Sequence, residues 1–374
     1  MKSLFQETRI RSLKVPNRFM RSATWMALAD PEGYCNKRVF QCYEELGRGA
    51  LGLIISGFGF VSPEGQGPAG QLGFCSNAHV DGLRVLTQRV HDQGGRMAAQ
   101  IVHCGNQSKP ENNGNRDVLG PSDRFDEEGK QVARALTLKE IGRIVDDFGA
   151  AAERVRDAGF DAVQLHFAHG YLGSQFLSPY HNERKDEYGG SIENRCRFLS
   201  EAYLKVRAAV GEAFPVMAKL NIEDFVDTGL TCAHGLKAAT LLENLGLDAL
   251  EVSGGMAASG RLGPARRIKG REQEAYFREN AAAVKTAVGR MPVILVGGLR
   301  SPELMAEIHH ETGIDYFSLS RPLIREPGLV KRWKKGDSSP AACVSCSGCF
   351  LSIKYGEGVF CIKTRKAKGD ETPT

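Results

Sequence analysis

Two imidazoles and a phenol stand close together in the segment Gln164–Leu172, which has the sequence QLHFAHGYL. His166, His169 and Tyr171 follow an apolar, strand-like run. Neutral imidazoles donate and accept hydrogen bonds, and a phenol with a reference pKa of about 10 stays protonated at neutral pH. The pattern therefore predicts a site that binds a substrate oxygen and delivers a proton. One alternative is that the two histidines form half of a metal site. The other is that the aromatic side chains only pack against their neighbours.

A second group of reactive side chains has the spacing Cys343-x₂-Cys346-x₂-Cys349-x₁₁-Cys361. Four thiolates in such a short segment are typical of a [4Fe–4S] cluster or a zinc site. A cysteine-rich segment that binds no metal is the alternative. The other cysteines are scattered, and a long chain without an export signal does not indicate a disulfide framework.

Lys219 lies near the end of another apolar run, Pro215–Leu220. A lysine is almost never fully buried without a partner, so this one indicates a function. A cation at the end of a strand can stabilise negative charge that develops on a cofactor or an intermediate. The alternative is a Schiff-base nucleophile in a lyase.

Eight short apolar or β-branched runs alternate with helical patterns along the chain. We predict strands at Arg18–Ala23, Gly52–Ser56, Arg96–Val102, Ala162–His166, Pro215–Leu220, Ala249–Ser253, Val293–Val296 and Tyr316–Ser320. Several are apolar throughout, which is typical of parallel strands buried on both faces. Thr137 and Glu140 have the spacing of a capping box, and a helical apolar stripe follows them.

This alternation favours either a (β/α)₈ barrel or a doubly wound sheet. Long polar loops, residues 58–77 and 105–137, follow the second and third predicted strands. Barrel enzymes build their sites from the loops at this end of the strands. We therefore predict a (β/α)₈ TIM barrel with long βα loops over residues 1–333, and a basic, cysteine-rich C-terminal extension over residues 334–374.

Composition excludes several classes of protein. The 374 residues have a net charge of +5 and are 42% hydrophobic, which fits a globular chain and argues against a nucleic-acid partner. No stretch resembles a signal peptide or is long enough to span a membrane, so we expect a cytoplasmic location.

The chain has no dinucleotide-binding fingerprint, so NAD(P)H would act as a transient substrate. The choice between a monomer and a homo-oligomer stays open.

The region that begins at His166 resembles the old yellow enzyme family, which are FMN-dependent (β/α)₈ oxidoreductases also called NADH:flavin oxidoreductases. The motifs that carry the resemblance are His166-x-x-His169-Gly-Tyr171, Phe176-Leu-Ser-Pro179 and Asn182-x-Arg184-x-Asp186-x-Tyr188-Gly-Gly-Ser191-x-x-Asn194-Arg195. The resemblance implies that His166 and His169 bind the carbonyl oxygen of an activated alkene and that Tyr171 protonates its α-carbon. Reduced FMN would supply the hydride to the β-carbon, and NAD(P)H would reduce the FMN.

The same resemblance implies a flavin site at the carboxyl ends of the strands. The matching positions are Ala23, Thr24, Trp25, Phe58, Gln100, His166, Lys219, Gly254, Gly255, Gly297, Gly298, Ser320 and Arg321. Gln100 would pair with the flavin pyrimidine edge, Lys219 would lie beside flavin N1 and O2, and Arg321 would bind the phosphate. Trp25 departs from the family pattern, because well-known members have a small Thr or Cys there. Asn106 stands where an Arg is frequent.

The cysteine segment is similar to the tail of dienoyl-CoA reductase-type members, which carry a cluster and continue into an FAD/NAD(P)-binding domain. Here two residues, and not the usual three, separate Cys346 from Cys349. The predicted function is NAD(P)H-dependent reduction of a small activated alkene, such as an enone or an enoyl compound. The alternatives are an iron–sulfur dienoyl-thioester reductase fed by a separate electron donor, a Schiff-base lyase that uses Lys219, and a flavin-binding module without turnover.

Overall fold

Eight short strands pair side by side into a closed parallel barrel in the computed structural model, which describes residues 1–367. The strands are β1 (Phe19–Arg21), β2 (Leu53–Ile55), β3 (Met97–Val102), β4 (Ala162–Phe167), β5 (Val216–Asn221), β6 (Ala249–Ser253), β7 (Val293–Val296) and β8 (Tyr316–Leu319). Because β8 pairs with β1, no strand of the barrel has a free edge. All eight predicted strands are confirmed, and their ends differ from the prediction by at most two residues.

Helices surround the barrel and complete the predicted (β/α)₈ fold. They are α1 (Lys37–Gly47), α2 (Val80–His91), α3 (Leu138–Asp157), α4 (Leu172–Leu177), α5 (Ile192–Val210), α6 (Cys232–Asn244), α7 (Arg278–Ala287), α8 (Pro302–Thr312), α9 (Arg321–Arg325), α10 (Leu329–Lys334), α11 (Gly348–Leu351) and α12 (Ile362–Ala367). The predicted capping box begins α3: Thr137 Oγ1 accepts from the Glu140 N–H at 3.3 Å, and the Glu140 carboxylate accepts from the Thr137 N–H at 2.9 Å. Within residues 1–367, no helix combines the length and the apolar character that a membrane crossing requires.

An apolar layer fills the amino-terminal end of the barrel. A hairpin of two short strands, Thr8–Ile10 and Leu13–Val15, covers this end. Ile10 and Val15 pack against buried side chains from the barrel strands, among them Met20 and Tyr316. Because this layer is apolar and tightly covered, the polar side chains of the interior lie toward the carboxyl ends of the strands.

The two long loops contain short strands of their own. Gly59–Phe60 and Leu72–Gly73 extend the barrel sheet beside β3. Between residues 105 and 137, the strands Leu119–Gly120, Arg124–Phe125 and Gln131–Ala135 form a small separate sheet. The sequence did not indicate these elements, because a strand of two residues is too short to show a hydrophobic period.

The C-terminal extension runs back across the mouth of the barrel. Trp333, at the end of the barrel, is buried against Phe19, with ring centroids 5.3 Å apart. Farther along, the Val359 N–H donates to the Met26 carbonyl at 2.8 Å, which ties the extension to the loop after β1. Residues 368–374 of the predicted extension lie outside the described residues.

Candidate active site

The carboxyl ends of the barrel strands surround a cavity of about 410 Å³. Its walls include most of the residues that the sequence singled out: Ala23, Thr24, Trp25, Phe58, Gln100, His166, His169, Tyr171, Lys219, Gly297, Gly298, Ser320 and Arg321. The cavity has the size of a small-molecule or cofactor site, and its lining is mostly apolar with a few polar groups. The closed barrel thus brings together side chains that are far apart in the sequence.

Gly254 and Gly255 are the two predicted flavin-site residues that do not line this cavity. They form the turn after β6, where the Gly255 N–H donates to the Glu223 carbonyl at 2.8 Å. Gly255 has a φ of 75°, which favours glycine, so its role in the structure is to allow this turn. The preceding residue, Ser253, lines the cavity in their place.

His166 lies on β4 and is almost completely buried. Its Nδ1 accepts a hydrogen bond from the Ala168 N–H at 3.3 Å, so the proton of the neutral ring is on Nε2. Burial lowers the pKa of His166 well below its usual value, and the nearby His169 and Lys219 act in the same direction. His166 is therefore a neutral hydrogen-bond donor at physiological pH.

His169 is held by groups from the ends of β5 and β6. Its backbone has a φ of 64°, and its N–H donates to Asn221 Oδ1 at 3.1 Å. Its Nε2 lies 2.8 Å from the hydroxyl oxygen of Ser253. Burial lowers the pKa of His169 well below its usual value, and the charge of Lys219 lowers it further.

Tyr171 is the residue just before α4. Its ring centroid lies 5.0 Å from that of His166 and 5.2 Å from that of Phe58, so both neighbours fix the ring in the cavity wall. Burial raises the pKa of Tyr171 far above its usual value. The phenol is therefore protonated across the physiological pH range and is able to donate.

A polar layer lies between the cavity and the apolar end of the barrel. Strand register places Gln100 beside Gln164, and places Lys219 between His166 and Glu251. Lys219 Nζ donates to Ser22 Oγ at 2.9 Å and to Glu251 Oε1 at 3.2 Å. Gln100 lines the cavity, and its buried Oε1 has no hydrogen-bond partner in the described part of the chain.

The loops after β7 and β8 form the opposite wall of the cavity. Gly297 and Gly298 have φ values of 117° and 71°, and a Cβ on either would lie within 2.9 Å of the Tyr276 ring. Arg321 donates to the Arg266 carbonyl at 2.7 Å and to the Ser345 carbonyl at 3.2 Å. Arg321 therefore connects the barrel to the cysteine-rich extension.

Several cavity residues come from loops that the sequence left unassigned. They join Trp25, which the sequence did predict, and whose indole N–H donates to the Ala69 carbonyl at 3.1 Å. The additional lining residues include Gln107, Lys109, Tyr276, Ser345 and Phe350. No period or motif marks these residues, because the folding of irregular loops over the barrel mouth decides their positions.

The four cysteines of the extension line one small cavity, together with Arg321. Burial raises the pKa of Cys349 to about 11, while Arg321 acts in the opposite direction. Over residues 1–367, no group of three or more His, Cys, Asp or Glu side chains has the arrangement that would hold a metal ion. The predicted cluster or zinc site therefore stays a prediction.

The chain is similar to several known oxidases and reductases. It is 35% identical to an NADH oxidase from Thermoanaerobacter brockii over 93% of this chain and 53% of the relative, so it spans about half the length of that protein. It is 31% identical to a 4,4'-dithiodibutanoate disulfide reductase from Rhodococcus erythropolis, over 95% of this chain and 94% of the relative. A solved complex of 2-naphthoyl-CoA reductase superposes with a TM-score of 0.87 at 25% identity, over 96% of this chain and 56% of that one.

The model of the NADH:flavin oxidoreductase / NADH oxidase family matches residues 3–339, which includes the whole barrel. The resemblance that the strand 4 motif indicated is thus confirmed over most of the sequence. The chain belongs to this family, the FMN-dependent NAD(P)H oxidoreductases of old yellow enzyme type.

Proposed function

We propose that this chain uses electrons from NAD(P)H to reduce activated alkenes in the cavity at the barrel mouth. The observation that carries the proposal is that His166, His169 and Tyr171 line the same cavity as Gln100 and Lys219. Oxygen-binding and proton-donating groups thus lie beside groups suited to a flavin. FMN, when bound, takes a hydride from NAD(P)H and passes it to the β-carbon of an alkene.

The residues present fit FMN. The orphaned Oε1 of Gln100 needs a donor, and the flavin pyrimidine edge has an N–H group between two carbonyls. Lys219 offers a cation in the same cavity as Gln100, and Gly297 and Gly298 after β7 also line that cavity. The residues that would hold FMN are Ala23, Thr24, Trp25, Phe58, Gln100, His166, Lys219, Gly297, Gly298, Ser320 and Arg321.

His166 and His169 would bind the carbonyl oxygen of the alkene. Both rings are neutral because burial lowers their pKa, so they donate hydrogen bonds without introducing a net charge. Negative charge develops on the carbonyl oxygen as the hydride arrives at the β-carbon. Donors held in place in a water-poor site stabilise this charge without reorganisation.

Tyr171 would donate the proton that completes the reduction. Its buried hydroxyl holds the proton because burial raises its pKa. Transfer of that proton to the α-carbon pairs with the arrival of the hydride at the β-carbon, and solvent then restores the proton to the phenol. The alkene thus gains two hydrogens, and NAD(P)H loses a hydride.

Anaerobic spectroscopy of the purified protein tests this proposal. We expect a yellow protein whose flavin absorbance is bleached by NAD(P)H and restored by a simple cyclic enone. A protein that stays colourless after reconstitution with FMN, or a flavin that NAD(P)H does not bleach, would contradict the proposal. If NAD(P)H bleaches the flavin but no enone reoxidises it, the protein is an NAD(P)H oxidoreductase whose substrate is not an activated alkene.

A second candidate function adds a [4Fe–4S] cluster at Cys343, Cys346, Cys349 and Cys361, and a thioester substrate reduced with electrons from a separate donor. The observation that favours it is that all four thiols line one cavity. Arg321 lines both this cavity and the larger one at the barrel mouth. Ser345 and Ser347 have φ values of 53° and 59°. Left-handed residues of this kind turn backbone N–H groups toward an anion, as in many iron–sulfur sites.

Chemical analysis separates the two candidates. After anaerobic purification, a cluster protein contains equal amounts of iron and acid-labile sulfide, and Cys346→Ser loses both. Cys35→Ser is the matched control, because Cys35 is far from the extension in sequence and does not line its cavity. A flavin spectrum without iron would exclude the second candidate and leave the first intact.

The lyase alternative is not favoured by the surroundings of Lys219. Its amine donates to both Ser22 and Glu251, whereas a Schiff-base nucleophile needs a free lone pair. The chain also belongs to a family of flavin-dependent oxidoreductases. We therefore assign Lys219 to the stabilisation of a bound anion.

A further inference from the structure

Glu251 is a buried carboxylate that the proposed reaction does not use. It lies in the middle of β6 with no exposed surface. Its Oε1 accepts from Ser22 Oγ at 2.7 Å and from Lys219 Nζ at 3.2 Å. The ammonium and the carboxylate are both almost completely buried, so their charges compensate each other with little screening by water.

The other oxygen of Glu251 begins a chain of amides that ends at the cavity. Its Oε2 accepts from Gln164 Nε2 at 2.9 Å, and Gln164 Oε1 accepts from Gln100 Nε2 at 2.7 Å. A carboxylate only accepts hydrogen bonds, so Gln164 must turn its nitrogen toward Glu251 and its oxygen toward Gln100. Gln100 then uses its nitrogen for Gln164, and its Oε1 is the atom left without a partner.

We propose that Glu251 is a positioning residue of the flavin site, which fixes Gln100 as a hydrogen-bond acceptor and compensates the charge of Lys219. The inference rests on the proposed function, because it takes the cavity as the place where the flavin binds. An acceptor at Gln100 selects the N–H of the pyrimidine edge. A compensated Lys219 stabilises the reduced, anionic flavin less than a free lysine does, so Glu251 lowers the reduction potential of the bound cofactor.

The potential of bound FMN tests this inference. Glu251→Gln removes the counter-charge of Lys219, so we expect reduced FMN to bind at least tenfold more tightly relative to oxidised FMN. For a two-electron couple, that change raises the midpoint potential by about 30 mV. Glu251→Asp keeps the charge and holds the potential near the wild-type value. Glu307→Gln removes an exposed carboxylate at the surface and serves as the matched control.

A potential in Glu251→Gln that is unchanged or lower would overturn the charge compensation. A purely structural role for Glu251 would weaken binding of both oxidation states and would not raise the potential. Gln164→Met gives a second measurement if Glu251→Gln does not accumulate as folded protein. It keeps the ion pair and interrupts only the amide chain, so we expect the dissociation constant of FMN to rise at least fivefold.

An unchanged FMN dissociation constant in Gln164→Met would overturn the orientation of Gln100 by Glu251. The wild-type protein distinguishes this failure from a failure of the proposed function. If the wild type binds FMN and is reduced by NAD(P)H, these two variants decide the inference alone. If the wild type binds no FMN, the proposed function fails and the inference fails with it.

Discussion

The Nε2 atom of His169 lies 2.8 Å from the hydroxyl oxygen of Ser253, across the ends of β4 and β6. This contact occupies one ring nitrogen and leaves Nδ1 for a ligand. A left-handed backbone at a non-glycine residue costs on the order of 1–3 kcal/mol and persists only where neighbouring groups hold it. Asn221 does so here, because its side chain accepts from the His169 N–H and donates to the Gly255 carbonyl.

Removal of either imidazole should weaken the binding of phenols, which resemble an enolate oxygen. We expect His166→Ala and His169→Ala each to raise the dissociation constant of p-hydroxybenzaldehyde about tenfold, the loss of one charge-assisted hydrogen bond of about 1.4 kcal/mol. Ser253→Ala should have a smaller effect in the same direction. Titration of the flavin absorbance measures all three. His310→Ala, at an exposed position on α8, is the control, and equal affinities throughout would contradict the assignment.

Tyr171→Phe should separate the two half-reactions. Without the phenolic proton, alkene reduction slows by roughly 10²–10⁴-fold, the usual contribution of a general acid. Reduction of the flavin by NAD(P)H needs no proton from Tyr171 and should stay within about twofold of the wild type. Anaerobic stopped-flow absorbance follows each step by itself. Tyr180→Phe, at an exposed tyrosine, should leave both rates unchanged, whereas equal losses in both steps of Tyr171→Phe would remove its role as proton donor.

Lys219→Met should lower the reduction potential of the bound flavin. The change removes the cation that stabilises negative charge in the cavity, so the anionic reduced flavin is destabilised. A tenfold loss in relative affinity for the reduced form lowers a two-electron potential by about 30 mV. Dye-coupled reduction measures the potential, and Lys237→Met, at an exposed lysine on α6, is the control. A potential equal to that of the wild type would show that Lys219 does not act on the flavin.

Acid should destabilise the fold before most carboxylates are protonated. Burial lowers the pKa of His103 and of His181 to about 4, and lowers the pKa of His166 and His169 well below 6.5. Since these values are lower in the folded chain than in the unfolded chain, the unfolded chain binds more protons as the pH falls below about 6.5. The free energy of unfolding should therefore decrease from pH 7 to pH 5, by up to about 1.4 kcal/mol per pH unit for each histidine.

Two groups oppose this trend. The hydrogen bond to Asp161 raises the pKa of His91, and burial raises the pKa of Asp147 to about 6, so the folded chain holds both protons more tightly. The four buried histidines outnumber these two groups, so the free energy of unfolding still decreases as the pH falls from 7 to 5. Urea unfolding at pH 7, 6 and 5 measures the slope. A free energy of unfolding that is constant or that rises toward pH 5 would contradict the burial of neutral histidines.

The sequence by itself was sufficient for the barrel and for the core of the site. Each barrel strand is a short apolar run, and burial on both faces makes such runs visible without any knowledge of their partners. His166, His169 and Tyr171 are close in the chain, at the end of one strand, so their proximity in space follows from local geometry. Lys219 was indicated by its place in an apolar run, and resemblance then suggested the flavin role of both Lys219 and Gln100.

Only the tertiary structure decided which side chains meet across the strands. Lys219 and Glu251 are separated by a helix and two loops, and the register of β5 against β6 places them side by side. A shift of one residue would turn Glu251 away from the barrel interior, since alternate side chains of a strand point to opposite faces. Tertiary structure also decided that Ser253 lines the cavity, where the sequence predicted Gly254 and Gly255. Register and loop path depend on the closure of the whole barrel, and no local segment of the sequence contains that information.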